Sequence, residues 1–222
     1  MRIKGEKVMN DPKHAAVNNA LGFPKMEEFE AELVRLMNQP EAEGTSSIII
    51  ALTDCDKFMR VNTEFGRECG DKVLIETGKY LESKLVPGAT IYRIAGDEFG
   101  FIFNGDMEKE DVFLFLEEVR RGYDVKLPNG EPMTLSMGIA TAFEDATRVQ
   151  ELIRKAESAI FRAKANGSNK VALAKEEKMV PKTSHYTNDQ LKSLTKLSKR
   201  EGVGEAILLR EALDMLLKKY DI

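Results

Sequence analysis

A chain of 222 residues with 33 Lys and Arg against 37 Asp and Glu carries a net charge of −4, which argues against a generic nucleic-acid coat. No apolar run approaches the roughly 20 residues that cross a bilayer, and the opening MRIKGEKVMNDPKHAAVNN lacks the apolar stretch of a signal peptide, so the sequence reads as cytoplasmic and free of membrane. Cys55 and Cys69 make neither a disulfide framework nor a CxxC pair, and His14 and His185 have no neighbours at zinc spacing.

Met26, Phe29, Leu33 and Met37 recur at helical intervals and predict an amphipathic helix over 26–38. After a loop, QPEAEGTS, the run SSIIIALTD (46–54) predicts a buried strand with a polar end. Two helical stretches follow, with breaks expected near Gly66 and Gly70. The second runs from about Lys72 to Leu85 and stops at Val86-Pro87-Gly88. IYRIAGDEFGFIF (91–103) predicts a hairpin that turns at Ala95 and Gly96 and carries Asp97 and Glu98 at its tip. The stretch 106–122 predicts a helix, acidic in its first turn and basic in its last, as the helix dipole favours. A strand over 133–142, a helix over 147–165 and a last strand over 169–174 complete the series. Interleaved strands and helices from 46 to 174 imply one mixed sheet with helices packed against it. A charged, Pro-containing linker over 175–182 then separates a domain at 1–174 from a small strand-helix-helix unit at 183–222. From Lys175 to Ile222 ten Lys and Arg face eight Asp and Glu, net +2, which leaves −6 on the rest.

Two adjacent carboxylates at a hairpin tip admit two readings: a solvated turn, or a rigid pair of oxygen donors for a hard cation such as Mg²⁺. Asp54 ends the buried strand, at the kind of sheet edge where ligands bind. If that strand lies beside the hairpin, Asp54 faces Asp97 and Glu98, and three converging carboxylates repel unless a cation sits among them. Strand-end DxD together with hairpin-tip DE is far more specific than either alone.

DCDKFMRVNTEFGRECGDKVL followed by YRIAGDEF closely resembles the GGDEF domain of diguanylate cyclases, whose pattern runs DxDxFKxxND, GHxxGDxVL and RxGGDEF. Asp54, Asp56, Phe58, Asn62, Gly66, Gly70, Asp71, Arg93, Gly96, Asp97, Glu98 and Phe99 fall in register. SMGIA (136–140), AESAIFRAKANGSNKV (156–171) and LGFPKMEEF (21–29) extend the likeness over roughly residues 18 to 174. The resemblance implies an α+β, palm-like mixed sheet flanked by helices. It also implies a nucleotidyltransferase that condenses two GTP into cyclic di-GMP, releasing pyrophosphate, as a homodimer. On that reading Asp54, Asp97 and the Cys55 carbonyl hold Mg²⁺ (or Mn²⁺). Glu98 is a second metal ligand or helps deprotonate the attacking 3′-hydroxyl. Asn62 and Asp71 read the guanine edge, Phe58 joins the substrate site, and Lys164 contacts the phosphates.

The departures from the pattern are specific. Ala95 replaces the first Gly, Met59 and Ser168 replace two phosphate-contacting cations, Thr63 replaces an Asp, and Arg67 a His. Each lost charged hydrogen bond costs on the order of 1.5–3 kcal/mol. Lys57, Arg60 and Lys170 lie nearby in sequence. The family's inhibitory RxxD is replaced by Val86-Pro87-Gly88-Ala89, so that product site is absent. A second reading is therefore a catalytically weakened domain that binds GTP or cyclic di-GMP and regulates a DNA-binding tail.

In the tail, Leu191, Leu194 and Leu197 line one helix, and Leu208, Leu209, Leu213, Leu216 and Leu217 a second. About 40 residues cannot bury this surface alone, which implies a dimer. One reading is a helical hairpin used only for dimerisation. The other rests on GVGEAILLREAL (202–213), which resembles the second helix of ribbon-helix-helix modules; that likeness implies a strand over Thr183–Tyr186 presenting Thr183 and His185 to DNA.

Overall fold

In the computed structural model, which describes residues 15–39, 47–175, 182–201 and 204–220, the strand of three isoleucines lies at the centre of a five-stranded sheet. In chain order the elements are α1 (Ala15–Leu21), α2 (Met26–Met37), β1 (Ser47–Cys55), α3 (Phe58–Phe65), α4 (Arg67–Ser83), β2 (Ala89–Arg93) and β3 (Glu98–Gly105). There follow α5 (Lys109–Arg121), β4 (Leu135–Thr141), α6 (Val149–Ala165), β5 (Val171–Leu173), α7 (Asn188–Glu201) and α8 (Glu205–Lys219). The sheet order is β2-β3-β1-β4-β5, antiparallel except for the β4–β5 pair.

Burial on both faces explains why β1 is continuously apolar rather than alternating. Ile49, Ala51 and Cys55 face a core built with α1, α3, α4 and α5. Ile50 and Leu52 face a second core built with α2 and α6. The buried positions of α6, Leu152, Ala156, Ala159, Ile160 and Ala163, follow the helical period. In α5, Glu108 and Asp111 form a capping box, and Arg120 and Arg121 stand in the last turn.

The expected break at Gly70 and helix start near Lys72 need correction. The break between the first two helical stretches is at Gly66 alone, where φ is +83° and a Cβ would be strained. Gly70 is not a break: it lies buried inside α4, which starts at Arg67. Helix α1, with Val17 wholly buried, was not anticipated, because its seven residues are too few to show a period.

The chain divides after Lys175 into two compact units. In the second, Thr187 and Gln190 cap α7 reciprocally, the Thr187 amide donating to Gln190 Oε1 at 2.9 Å and the Gln190 amide to Thr187 Oγ1 at 3.2 Å. Thr195 donates to Glu205 Oε1 at 2.6 Å, tying α7 to the start of α8. Residues 182–187 are irregular, so the expected strand at Thr183–Tyr186 is not formed within the chain; a lone strand has no neighbour to complete its ladder. Most of the expected loop at 39–46 and linker at 175–182, and the turn at 202–203, lie outside the described residues. Among the described residues no helix is long and apolar enough to cross a membrane.

Candidate active site

The antiparallel register of β1 and β3 sets Asp54 directly opposite Glu98, so the two side chains share a sheet face. The Cys55 amide donates to the Asp97 carbonyl at 3.2 Å, which fixes the hairpin tip against the strand end. The turn closes tightly: the Ile94 and Ala95 amides both point at the Glu98 carbonyl, at 3.0 and 3.4 Å. Ala95 takes no positive φ, so its Cβ brings no backbone strain. Arg93, buried at the base of the turn, donates to the Gly96 carbonyl and lies 5.6 Å from the Phe99 ring centre. Burial pulls its guanidinium pKa down, against the pull of Cys55, Asp97 and Asp71.

Asp54 is only 2% exposed, and the ammonium of Lys164, from the last turn of α6, stands 2.7 Å from its Oδ1. Burial first, then the charge of Asp97, pushes the Asp54 carboxyl up to about 7, although Lys164 opposes the rise. Burial works to lower Lys164, but Asp54, then Asp97 and Asp56, outweigh it and hold its pKa above the ordinary value. Lys164 thus offsets only part of the cost of burying Asp54 beside Asp97 and Glu98.

Among the described residues no three Asp, Glu, His or Cys side chains close into a ready-made metal cluster. The expected ligands Asp54, Asp97 and Glu98 instead stand within electrostatic reach of one another, since both Asp97 and Glu98 raise Asp54. Hard oxygen donors with surplus negative charge fit a hard divalent cation. The Cys55 thiol faces the other way, fully buried near Thr77, and burial pushes its pKa well up, so only its backbone is available to the site.

On the opposite side of β1, α3 packs along α4. A Cβ on Gly70 would meet Asn62 Oδ1 at 2.1 Å and the Phe58 ring at 3.1 Å. The missing side chain is what lets Asn62 and Phe58 lie against α4 beside Asp71. Asn62 and Asp71 are half-buried, Phe58 is buried, and Met59 is 55% exposed.

Asp56, in register with the family pattern but given no role from sequence, has a carboxylate that accepts three hydrogen bonds. Its oxygens accept from Thr134 Oγ1 at 2.7 Å, Ser136 Oγ at 2.7 Å and the Asn169 amide at 2.9 Å. Beside it opens a cavity of about 410 Å³ whose wall includes Lys57, Arg60, Ser168 and Asn169. Arg60 pairs there with Glu64 at 2.7 Å and Glu131 at 3.3 Å, while the Lys170 ammonium is turned to the Asn166 carbonyl. Thr183 and His185 are exposed in their irregular segment.

Comparison with known proteins agrees with this geometry. Residues 22–170 match the family described as diguanylate cyclase, GGDEF domain, and residues 179–221 match the ribbon-helix-helix domain. Diguanylate cyclase A of Treponema denticola is 29% identical over 139 residues, 60% of this chain and 37% of its own length. An uncharacterized membrane protein of Staphylococcus epidermidis is 28% identical over 156 residues, 68% of this chain and 43% of its own. The crystal structure of the GGDEF domain of DgcB from Caulobacter crescentus, in complex with c-di-GMP, aligns with a TM-score of 0.61 and 26% identity over 68% of this chain and 89% of that one. The chain thus spans less than half the length of these curated relatives.

Proposed function

The chain belongs to the GGDEF family, and on that premise we propose that it is a diguanylate cyclase, condensing two GTP into cyclic di-GMP with release of pyrophosphate. The observation that carries this reading is the pairing of Asp54 with Glu98 across β1 and β3, with Lys164 2.7 Å from Asp54. A bound Mg²⁺ or Mn²⁺ would neutralise phosphate charge and align the attack. Asp54, Asp97 and the Cys55 carbonyl would hold it, with Glu98 as a further ligand or as the base that takes the 3′-hydroxyl proton. Asp71 would accept from guanine's ring and amino N–H groups, a pair that adenine does not offer, and Asn62 would read the same edge beside Phe58. Lys164 would turn from Asp54 to the phosphates. One domain holds one GTP, so two must meet face to face; the ribbon-helix-helix unit at 179–221 would keep them close as a homodimer and engage DNA through Thr183 and His185. We place this activity in the cytoplasm, where GTP and DNA are both at hand.

Incubation of the purified chain with GTP and either metal, with products resolved by chromatography, tests this. Cyclic di-GMP from the wild type and none from Asp97→Ala is the expected result. No product with either metal at saturating GTP would overturn the enzyme reading. A second reading has its own observation: an exposed Met59 and a half-buried Ser168 stand where phosphate-binding cations are expected. It describes a domain that binds GTP or cyclic di-GMP and passes that occupancy to the tail; nucleotide binding without turnover would favour it.

A further inference from the structure

Asp56 is 5% exposed and its carboxylate gathers donors from two separate segments. Thr134 immediately precedes β4 and Ser136 is its second residue, opposite Asp54 in the β1–β4 register. The third donor, the Asn169 amide, comes from the turn after α6. Asp56 also donates its own amide to the Thr134 carbonyl at 3.0 Å. A carboxylate is suited to this position because it only accepts; an amide side chain offers one acceptor oxygen where three donors converge.

The turn it holds is unusual. Gly167, Ser168 and Asn169 have φ of +104°, +57° and +51°. Two of these three are not glycine, and such a conformation persists only where the surroundings over-determine it. The same turn hangs from Lys164: the Gly167 and Ser168 amides donate to the Lys164 carbonyl at 3.0 and 3.2 Å. A short path of hydrogen bonds joined by the turn's own backbone therefore runs from Asp56 through Asn169 to the residue whose ammonium meets Asp54.

We propose that Asp56 is a positioning residue, a clamp that holds the α6–β5 turn onto the ends of β1 and β4 and so sets Lys164 against Asp54. That this placement matters for turnover rests on the cyclase reading; the placement itself does not.

The test uses the full chain and reads Lys164 directly. Each variant is acetylated with limiting reagent and every lysine quantified by mass spectrometry, alongside amide exchange over residues 166–170. Asp56→Ala is expected to speed Lys164 labelling roughly tenfold, toward the rate of exposed Lys170, and to speed Asn169 exchange at least as much, because the local opening that the clamp suppresses becomes populated. Asp56→Asn is expected to stay within about threefold of wild type, keeping one acceptor in place. Leu81→Ala, a buried substitution at the far end of α4 with a comparable loss of thermal stability, should leave Lys164 labelling unchanged. Should Asp56→Ala fail to fold, Thr134→Val and Ser136→Ala each remove one donor and should give smaller increases of the same kind. Lys164 as protected in Asp56→Ala as in the wild type, or as reactive in Leu81→Ala, overturns the clamp. In the cyclase assay, kcat should fall more than about tenfold in Asp56→Ala with KM within about threefold, and Asp56→Asn should recover most of it. An unchanged kcat with Lys164 exposed overturns the link to turnover. A wild type that makes no product sinks the cyclase reading, while the labelling result still decides the clamp.

Discussion

Asp54 concentrates the electrostatic cost of this site. Its ordinary value is 3.8 and burial, with Asp97, raises it to about 7. Below about pH 4 the carboxyl is protonated in both folded and unfolded chains and has no effect on stability. Between about 4 and 7 the unfolded chain releases the proton and the folded one keeps it, so stability falls as pH rises; above 7 the penalty is complete. At about 1.36 kcal/mol per pKa unit it is on the order of 4 kcal/mol. Without divalent cations, the wild type should therefore lose Tm between pH 5 and 8, and Asp54→Asn should lose much less. Mg²⁺ should restore Tm at pH 8 in the wild type and not in the variant. Parallel Tm–pH curves in thermal denaturation would disprove this account. Base choice is a separate matter, which we propose rests on Asn62 and Asp71. Asp71→Ala should reduce kcat/KM for GTP by roughly 100-fold or more with little change in Tm, since a lost polar pairing discriminates strongly between bases. An unaltered preference for GTP over ATP would remove Asp71 from that role.

At the scale of elements, two glycines four residues apart do different work. Gly66 needs its positive φ and has open space around it, so Gly66→Ala should cost about 1–3 kcal/mol by backbone strain alone. Gly70 has helical backbone but no room, with Asn62 Oδ1 at 2.1 Å from where a Cβ would go. Gly70→Ala gains helix propensity but must displace the Asn62 side chain and press on the Phe58 ring, a net loss of about 1–3 kcal/mol. The two variants should be similar in denaturant midpoint and unlike in kinetics. Gly70→Ala should raise KM for GTP several-fold by displacing Asn62 and Phe58, and Gly66→Ala should leave KM closer to wild type. Equal KM values in both would mean that the α3–α4 contact does not shape the base site.

For the molecule as a whole, the question is what each unit contributes. Among the described residues, the two hydrophobic cores of the first unit are built from residues 17–174. The tail keeps Leu213 at 54%, Met215 at 66% and Leu216 at 50% exposure on α8, and Tyr220 just beyond it at 64%. Burying such side chains against a second copy stabilises by roughly 1.5–3 kcal/mol each. A chain truncated after Lys175 should therefore fold, sediment mostly as a monomer, and show specific activity that rises steeply with protein concentration. The full chain should stay dimeric on dilution and alone retard duplex DNA, with affinity falling as salt rises. Sedimentation of both forms checks this; a truncated protein that stays dimeric and fully active when dilute would refute it.

The sequence by itself determined the order of strands and helices between 46 and 174, because apolar period and turn residues are local properties of the chain. It also determined the likeness to GGDEF domains and to the ribbon-helix-helix unit, because those motifs are contiguous strings. Three things needed the tertiary structure. Gly70 reads as a break in sequence, and only the approach of Asn62 from another helix shows that it is a contact. Asp56 reads as one more acid in a DxD string, and its donors at Thr134, Ser136 and Asn169 lie 78, 80 and 113 residues away. The partner that the sequence assigned to phosphate, Lys164, turns out to face Asp54 across the sheet edge. Spacing along a chain reports which residues share a face of one element. It carries no information about which elements meet, since that is decided by the burial of whole faces and by the hydrogen bonds that only the assembled sheet can make.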